Sequence, residues 1–169
     1  YKPERRGVQR GSWSCTTDEG YLYPADGHGH GTHVAGTALG RTDTTGTAMG
    51  VAPGANWIAV KMLSDAGYGY DSWIHTAFEW IMAPAGDPAL APDIVNGSWG
   101  APDGSSEILQ PDLQALRAAG IVPVFAAGNN GPQPSSMQSP GSYPEAIAVG
   151  ATDSLDQVAS FSSRGPSAW

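Results

Sequence analysis

The feature that most constrains the fold is an alternation of short apolar runs with stretches of helical period. Residues 57–63, 121–127 and 146–151 are apolar runs of strand length, and residues 93–99 read as a strand running into a turn at Gly100. Between them, Ile74, Ala77, Phe78 and Ile81 recur at helical spacing over residues 71–83, with Asp71 as the expected N-cap and Pro84 closing the helix. Leu109, Leu113 and Leu116 mark one face of a second helix that accepts Pro111 only in its first turn and ends at Gly120. A strand that is apolar throughout is covered on both faces. The expectation is therefore an α/β fold, three-layer, with a mostly parallel sheet between helices. In such sheets functional groups gather at the C-terminal ends of strands.

Upstream of the first apolar run lies the chemically richest stretch, Asp26-Gly27-His28-Gly29-His30-Gly31-Thr32-His33-Val34-Ala35-Gly36-Thr37, which holds three of the four histidines. Histidine titrates nearest neutrality, so a cluster of them between glycines suggests proton transfer or metal binding. Thr32, Val34, Ala35 and Ala38-Leu39 suit a short helix ended by Gly40, with His30 at its N-terminal edge. Residues 1–29 carry no sustained period and read as a loop-rich lead-in with short strand pieces, leaving residues 30–169 as the α/β body. His75, beside the apolar stripe of residues 71–83, reads as an ordinary half-buried or surface histidine.

Composition narrows the partners. The 169 residues, 40% of them hydrophobic, suffice for one domain or part of one. The net charge is −8, and the small basic group Lys2, Arg5, Arg6 and Arg10 reads as a solvated terminal loop, so no nucleic acid is expected. No run approaches the roughly 18 apolar residues of a spanning helix, and residues 1–20 lack a signal peptide's apolar region, so no membrane partner is expected. Cys15 is the only cysteine, which excludes an intrachain disulfide and leaves the compartment open.

Five blocks then carry a resemblance: His30-Gly-Thr-His-Val-Ala-Gly-Thr37, Gly50-Val-Ala-Pro53, Asn96-Gly-Ser-Trp-Gly100, Ala126-Ala-Gly-Asn129 and Phe161-Ser-Ser-Arg-Gly-Pro166. In this order they resemble the signature blocks of the subtilisin-like serine peptidases. Trp57-Ile-Ala-Val-Lys61 and Ala91-Pro-Asp-Ile-Val-Asn96 are most similar to the bacillopeptidase F-like branch.

The resemblance implies a serine endopeptidase with a Ser-His-Asp triad acting on proteins or peptides, secreted, and monomeric in its full-length form. His30 would be the general base, His33 a structural partner one turn on, and His28 a neighbouring loop residue. Asn129 would donate to the developing oxyanion. Ser98, Trp99 and Gly100 would line an added substrate strand, with Ala126, Ala127 and Gly128 as the facing wall of the pocket. The serine mechanism needs no cofactor. Structural calcium is possible in such peptidases, and residues 41–46 lie where one such site occurs, with Asp43 as their only carboxylate.

The nucleophile block, of Gly-Thr-Ser type, does not occur in these residues; Asp18 ends no apolar strand as the family aspartate does, and Asp26 lies too close to His30. The expectation is the middle part of a catalytic domain, inactive by itself. Three other readings stay open. His28-x-His30-x-x-His33 has the histidine spacing of a zinc hydrolase, although Thr32 stands where that motif has an aspartate. Asn96-Gly-Ser98-Trp-Gly100 approximates a nucleophile elbow, but no histidine follows His75. A non-catalytic relative would bind peptides along the Ser98 segment.

Overall fold

The computed structural model describes residues 12–42 and 47–169. The chain divides into two compact units, Tyr1–Ala91 and Pro92–Trp169. The first contains β1 (Trp13–Cys15), α1 (His30–Leu39), β2 (Ala59–Lys61) and α2 (Asp71–Met82). The second contains β3 (Ile94–Gly97), α3 (Gln110–Ala118), β4 (Val122–Ala126) and β5 (Ile147–Val149).

All named strand pairings are parallel. In the first unit Trp13 pairs with Ala59 and Cys15 with Lys61, so one of the short strand pieces expected in the lead-in is β1. In the second unit the order is β3-β4-β5, with Gly97 opposite Phe125 and Ala126 opposite Val149. Parallel neighbours need a crossover, which α3 supplies between β3 and β4. Among the described residues no helix is long and apolar enough to cross a membrane.

The helices form where the periodicity places them. Helix α2 lies against β1 and β2 and buries Ile74, Ala77, Phe78 and Ile81. Tyr70, in extended conformation, is its N-cap, and Asp71 is instead the first helical residue, where its charge complements the helix dipole. Pro84 ends α2 by opening a 3-10 turn, Pro84–Gly86. Helix α3 packs on β4, admits Pro111 in its first turn, and buries Leu113 and Leu116 together with Leu109 and Ile121 at its flanks. Burying each of the Ile, Leu and Phe side chains among these contributes about 1.5–3 kcal/mol.

Two apolar runs are less buried than their composition suggests. In β2 the buried residue is Lys61, while Trp57 upstream is 59% exposed. In β5 Ile147 and Val149 are 51% and 52% exposed. On the sheet face that carries them, Ile94 of β3 is also exposed, whereas Val95, Pro123 and Phe125 fill the opposite face. Within a strand, alternate residues point to opposite faces, so covering one face buries only half of an apolar run.

The Gly-Val-Ala-Pro block at residues 50–53 has a local purpose. Gly50 and Met49 donate to the Gly40 carbonyl at 2.8 and 2.9 Å, Val51 to Thr37 at 3.2 Å, and Ala52 to Ala38 at 2.7 Å. The last carbonyls of α1 thus gain partners that a helix end lacks. A Cβ on Gly50 would lie 2.4 Å from the Gly40 nitrogen, so only glycine permits this approach.

Candidate active site

His30 is the first residue of α1, as its position in the histidine run predicts, and it is exposed. Gly29 before it adopts a left-handed conformation, φ 85°, which turns the chain into the helix. Asp26 supplies the cap that Gly29 cannot. Its carboxylate accepts from the Gly29 amide at 2.8 Å, and from the Thr32 amide and hydroxyl at 2.7 Å each. Desolvation pushes the Asp26 carboxyl up, but the Thr32 and Gly29 hydrogen bonds together outweigh it and hold the group below its ordinary value. The His28 and His30 rings meet edge to face at 6.2 Å. His33 donates its amide to the Gly29 carbonyl, and its own carbonyl accepts from the Thr37 hydroxyl.

The histidine turn rests on the turn that follows β2. Lys61, buried in β2, places its ammonium 2.8 Å from Asp65 and 3.3 Å from Glu19, and donates to the Leu63 carbonyl at 2.9 Å. Burial lowers the affinity of Lys61 for its proton, but the two carboxylates reverse this and leave its pKa raised. Asp65 also accepts from the Tyr21 hydroxyl at 2.7 Å and the Gly27 amide at 3.1 Å. The Lys61 ammonium, followed by the Tyr21 hydroxyl, pulls the Asp65 carboxyl down to about 2, and the same carboxylate raises the Tyr21 phenol. Glu19 closes the ring by accepting the Asp65 amide at 2.8 Å.

The second unit assembles the other candidates at one sheet edge. Because β3 and β4 are parallel neighbours, Ser98–Trp99–Gly100 and Ala127–Gly128–Asn129 leave the sheet side by side at its C-terminal end. Gln138 joins these segments. Its amide donates to the Ala127 carbonyl at 3.0 Å, its side-chain oxygen accepts from the Asn129 amide at 3.3 Å, and its Cβ would sit 3.0 Å from a Cβ on Gly100. Ala101 donates to the Ser139 carbonyl at 2.7 Å, continuing the contact.

Gly128 has φ 110°, and a Cβ there would lie 2.6 Å from Gln138 and 2.8 Å from Ser163, so backbone and space both require glycine. Ser163 returns to this turn twice, through its amide to the Gly128 carbonyl at 2.9 Å and its hydroxyl from the Asn130 amide at 3.0 Å. The Phe-Ser-Ser-Arg-Gly-Pro block thereby braces the Asn129 turn. Asn129 itself is exposed, Ala127 and Gly128 are buried, and Ala126 is half-buried. Trp99 is half-buried with its ring edge to face on Phe125 at 5.5 Å, and Ser98 accepts a hydrogen bond from the Asn96 side chain at 3.0 Å. A cleft of about 380 Å³ opens beside this turn, between Pro102–Ser105 and Asn130, Ser135–Met137.

Among the described residues no group of three His, Cys, Asp or Glu side chains is arranged to hold a metal ion, so the His28, His30 and His33 spacing gathers no metal cluster there. Asp43 and the basic residues Lys2, Arg5, Arg6 and Arg10 lie outside the described residues. Three participants escape the sequence reading: Asp26 as a cap, Gln138 as the tie between segments, and Asp65 as the anchor on Lys61. Only Asp26 leaves a local signal, an aspartate three residues before a glycine that opens a helix.

The profile described as the Subtilase family matches residues 5–169. Bacillopeptidase F of Bacillus subtilis (strain 168) is 45% identical over 157 residues, 88% of this chain and 11% of that protein. Subtilisin DY of Bacillus licheniformis is 45% identical over 148 residues, 86% of this chain and 51% of the relative. Among solved structures, Sphericase superposes with a TM-score of 0.74 at 36% identity, covering 84% of this chain and 47% of the other. The S41 psychrophilic protease superposes with a TM-score of 0.69 at 37% identity, covering 80% and 45%. The chain spans 11% and 51% of the lengths of these two sequence relatives. With a family match across nearly all of its length and a fold shared with these two solved structures, the chain belongs to the subtilase family.

Proposed function

We propose that this chain is part of the catalytic domain of a serine endopeptidase, to which it contributes the general base His30 and the oxyanion donor Asn129. The observation that carries this reading is the placement of the family blocks: the histidine opens α1, and Ala126-Ala-Gly-Asn129 leaves β4 at the C-terminal edge of a parallel sheet. In this mechanism a serine hydroxyl, supplied by sequence outside these 169 residues, loses its proton to the His30 imidazole as its oxygen attacks a peptide carbonyl. His30 then returns the proton to the leaving amine, and water repeats the cycle on the acyl-enzyme. Asn129 stabilises the negative charge that develops on the carbonyl oxygen. In subtilisin, a member of this family, losing that donor costs about 10²–10³ in kcat, and the same range is carried over here.

Substrate is a protein or peptide laid as an extended strand against Ser98, Trp99 and Gly100, with Ala126, Ala127 and Gly128 walling the pocket for the residue before the cut. The small side chains of that wall favour a sizeable one. The whole protein acts outside the cell as a monomer and needs no cofactor for the chemical step.

The experiment compares the full-length protein with its His30→Ala and Asn129→Ala variants on a peptide substrate. Turnover that a serine-directed phosphonate blocks, that falls by about 10⁶-fold in His30→Ala as in subtilisin itself, supports the reading. The 169-residue chain alone should hydrolyse nothing, since its base has no nucleophile to activate. A full-length protein that binds peptides without cleaving them would make it a non-catalytic relative.

A further inference from the structure

We infer that Asp26 is a positioning residue for His30, and that it is itself held by Asp65 on the buried Lys61. This rests on the reading of His30 as the base. The Asp26 carboxylate grips the chain on both sides of His30, at the Gly29 amide immediately before it and at the Thr32 amide and hydroxyl two residues after it. None of these bonds touches the imidazole. They fix the backbone that carries it, and with it the direction of the Cα–Cβ bond.

Asp26 is in turn placed by the residue next to it. The Gly27 amide donates to Asp65 at 3.1 Å, and a Cβ on Gly27 would lie 2.3 Å from the Asp65 carboxyl carbon, so any side chain there would push the carboxylate aside. Asp65 is fixed by Lys61 at 2.8 Å, by Tyr21 at 2.7 Å, and through its own amide by Glu19 at 2.8 Å. Lys61 belongs to β2, whose neighbour in the ladder is β1. A second grip comes from the same turn: Gly67, φ 81°, has no room for a Cβ because the His28 ring lies 2.9 Å from where it would be, and that ring meets His30 edge-on. The path from sheet to base thus runs Lys61, Asp65, Gly27, Asp26, His30. A loop without strand or helix of its own acquires the rigidity that a proton-transfer geometry needs.

The test separates positioning from a plain helix cap. In the full-length protein, Asp26→Asn keeps one acceptor oxygen and the side-chain shape; it should lower kcat by about 10–100-fold with KM within about twofold, the size of effect a displaced catalytic group produces. Combined with His30→Ala it should cause no further loss, because a residue that acts through His30 has nothing left to place. Asp26→Glu, which keeps the charge at a different reach, should not restore kcat. A kcat within twofold of the parent, or a loss that multiplies fully onto that of His30→Ala, overturns the inference. If Asp26→Asn does not melt cooperatively, Thr32→Val, which removes only the hydroxyl donor, carries the same test with a loss of about 3–10-fold. An active His30→Ala protein would instead overturn the reading of the base, a distinct result from additivity in the double variant.

Discussion

Thr32 donates to the Asp26 carboxylate twice, from its amide and its hydroxyl, both at 2.7 Å. The pair does the work of an N-cap for α1, whose own N-cap residue, Gly29, has no side chain to offer.

Replacing Asp26 by alanine should therefore destabilise the first unit by about 0.5–1 kcal/mol, the lower part of the range for lost caps because the carboxylate is exposed. The effect should depend on pH in a defined sense. The folded-state carboxyl lies below its ordinary value, so its stabilisation is present above the unfolded pKa of about 3.9 and is lost as pH falls through the folded one. Urea denaturation of parent and variant at pH 7 and at pH 3 checks both statements: the difference should narrow in acid.

Asp65 should show the same sign over a wider interval. Its carboxyl is held at about 2 by Lys61 and Tyr21, so the Lys61–Asp65 contact is complete above about pH 4 and is lost progressively down to pH 2. In Asp65→Asn that acid-dependent component should be missing. Acid titrations followed by circular dichroism should run parallel for the two proteins above pH 5 and differ in slope below pH 4.

Phe125 is the central side chain of the second unit, 1% exposed, with Trp99 on its edge and no room for a Cβ on Gly97, which would meet its ring at 2.1 Å. Phe125→Ala should cost about 3–5 kcal/mol by leaving a cavity, and Gly97→Ala about 1–3 kcal/mol by overpacking. Combining Gly97→Ala with Phe125→Leu should recover part of the second loss. Denaturant midpoints of Gly97→Ala, Phe125→Leu and their combination measure this, and strict additivity would contradict the contact.

Gly128 tests the Asn129 turn without altering Asn129. Gly128→Ala places a methyl against Gln138 and Ser163 at a φ of 110°, so it should cost about 1–3 kcal/mol and displace the following residue. In the full-length protein the proposed role of Asn129 then predicts a fall in kcat larger than any change in KM, measured with a peptide substrate.

How far the chain was legible depended on the range of the interactions. The helices at 30–39, 71–82 and 110–118 follow from apolar spacing and from Gly and Pro punctuation, because helical hydrogen bonds link residues four apart. The family blocks, and with them His30 and Asn129 as candidates, stand in the sequence as contiguous words. Asp71 is the first helical residue rather than the N-cap, a place that extended Tyr70 takes. The buried residue of β2 is a lysine, and the exposed Ile147 and Val149 depart from the burial that their apolar run suggested.

What the sequence determined by itself was the class of fold, the order of its elements and the family, all of which rest on near neighbours or on short words. Tertiary structure alone decided that Lys61 would meet Glu19, that Gly27 would lie against Asp65, and that Gln138 would join the segments after β3 and β4. Those contacts bridge residues 42, 38 and 9 positions apart, the first two lying between elements with no shared period. A charge or an amide carries no sign in the sequence of which distant partner will satisfy it. That is settled only when the chain closes and brings them within reach, most stringently for the buried Lys61, whose charge must be paired.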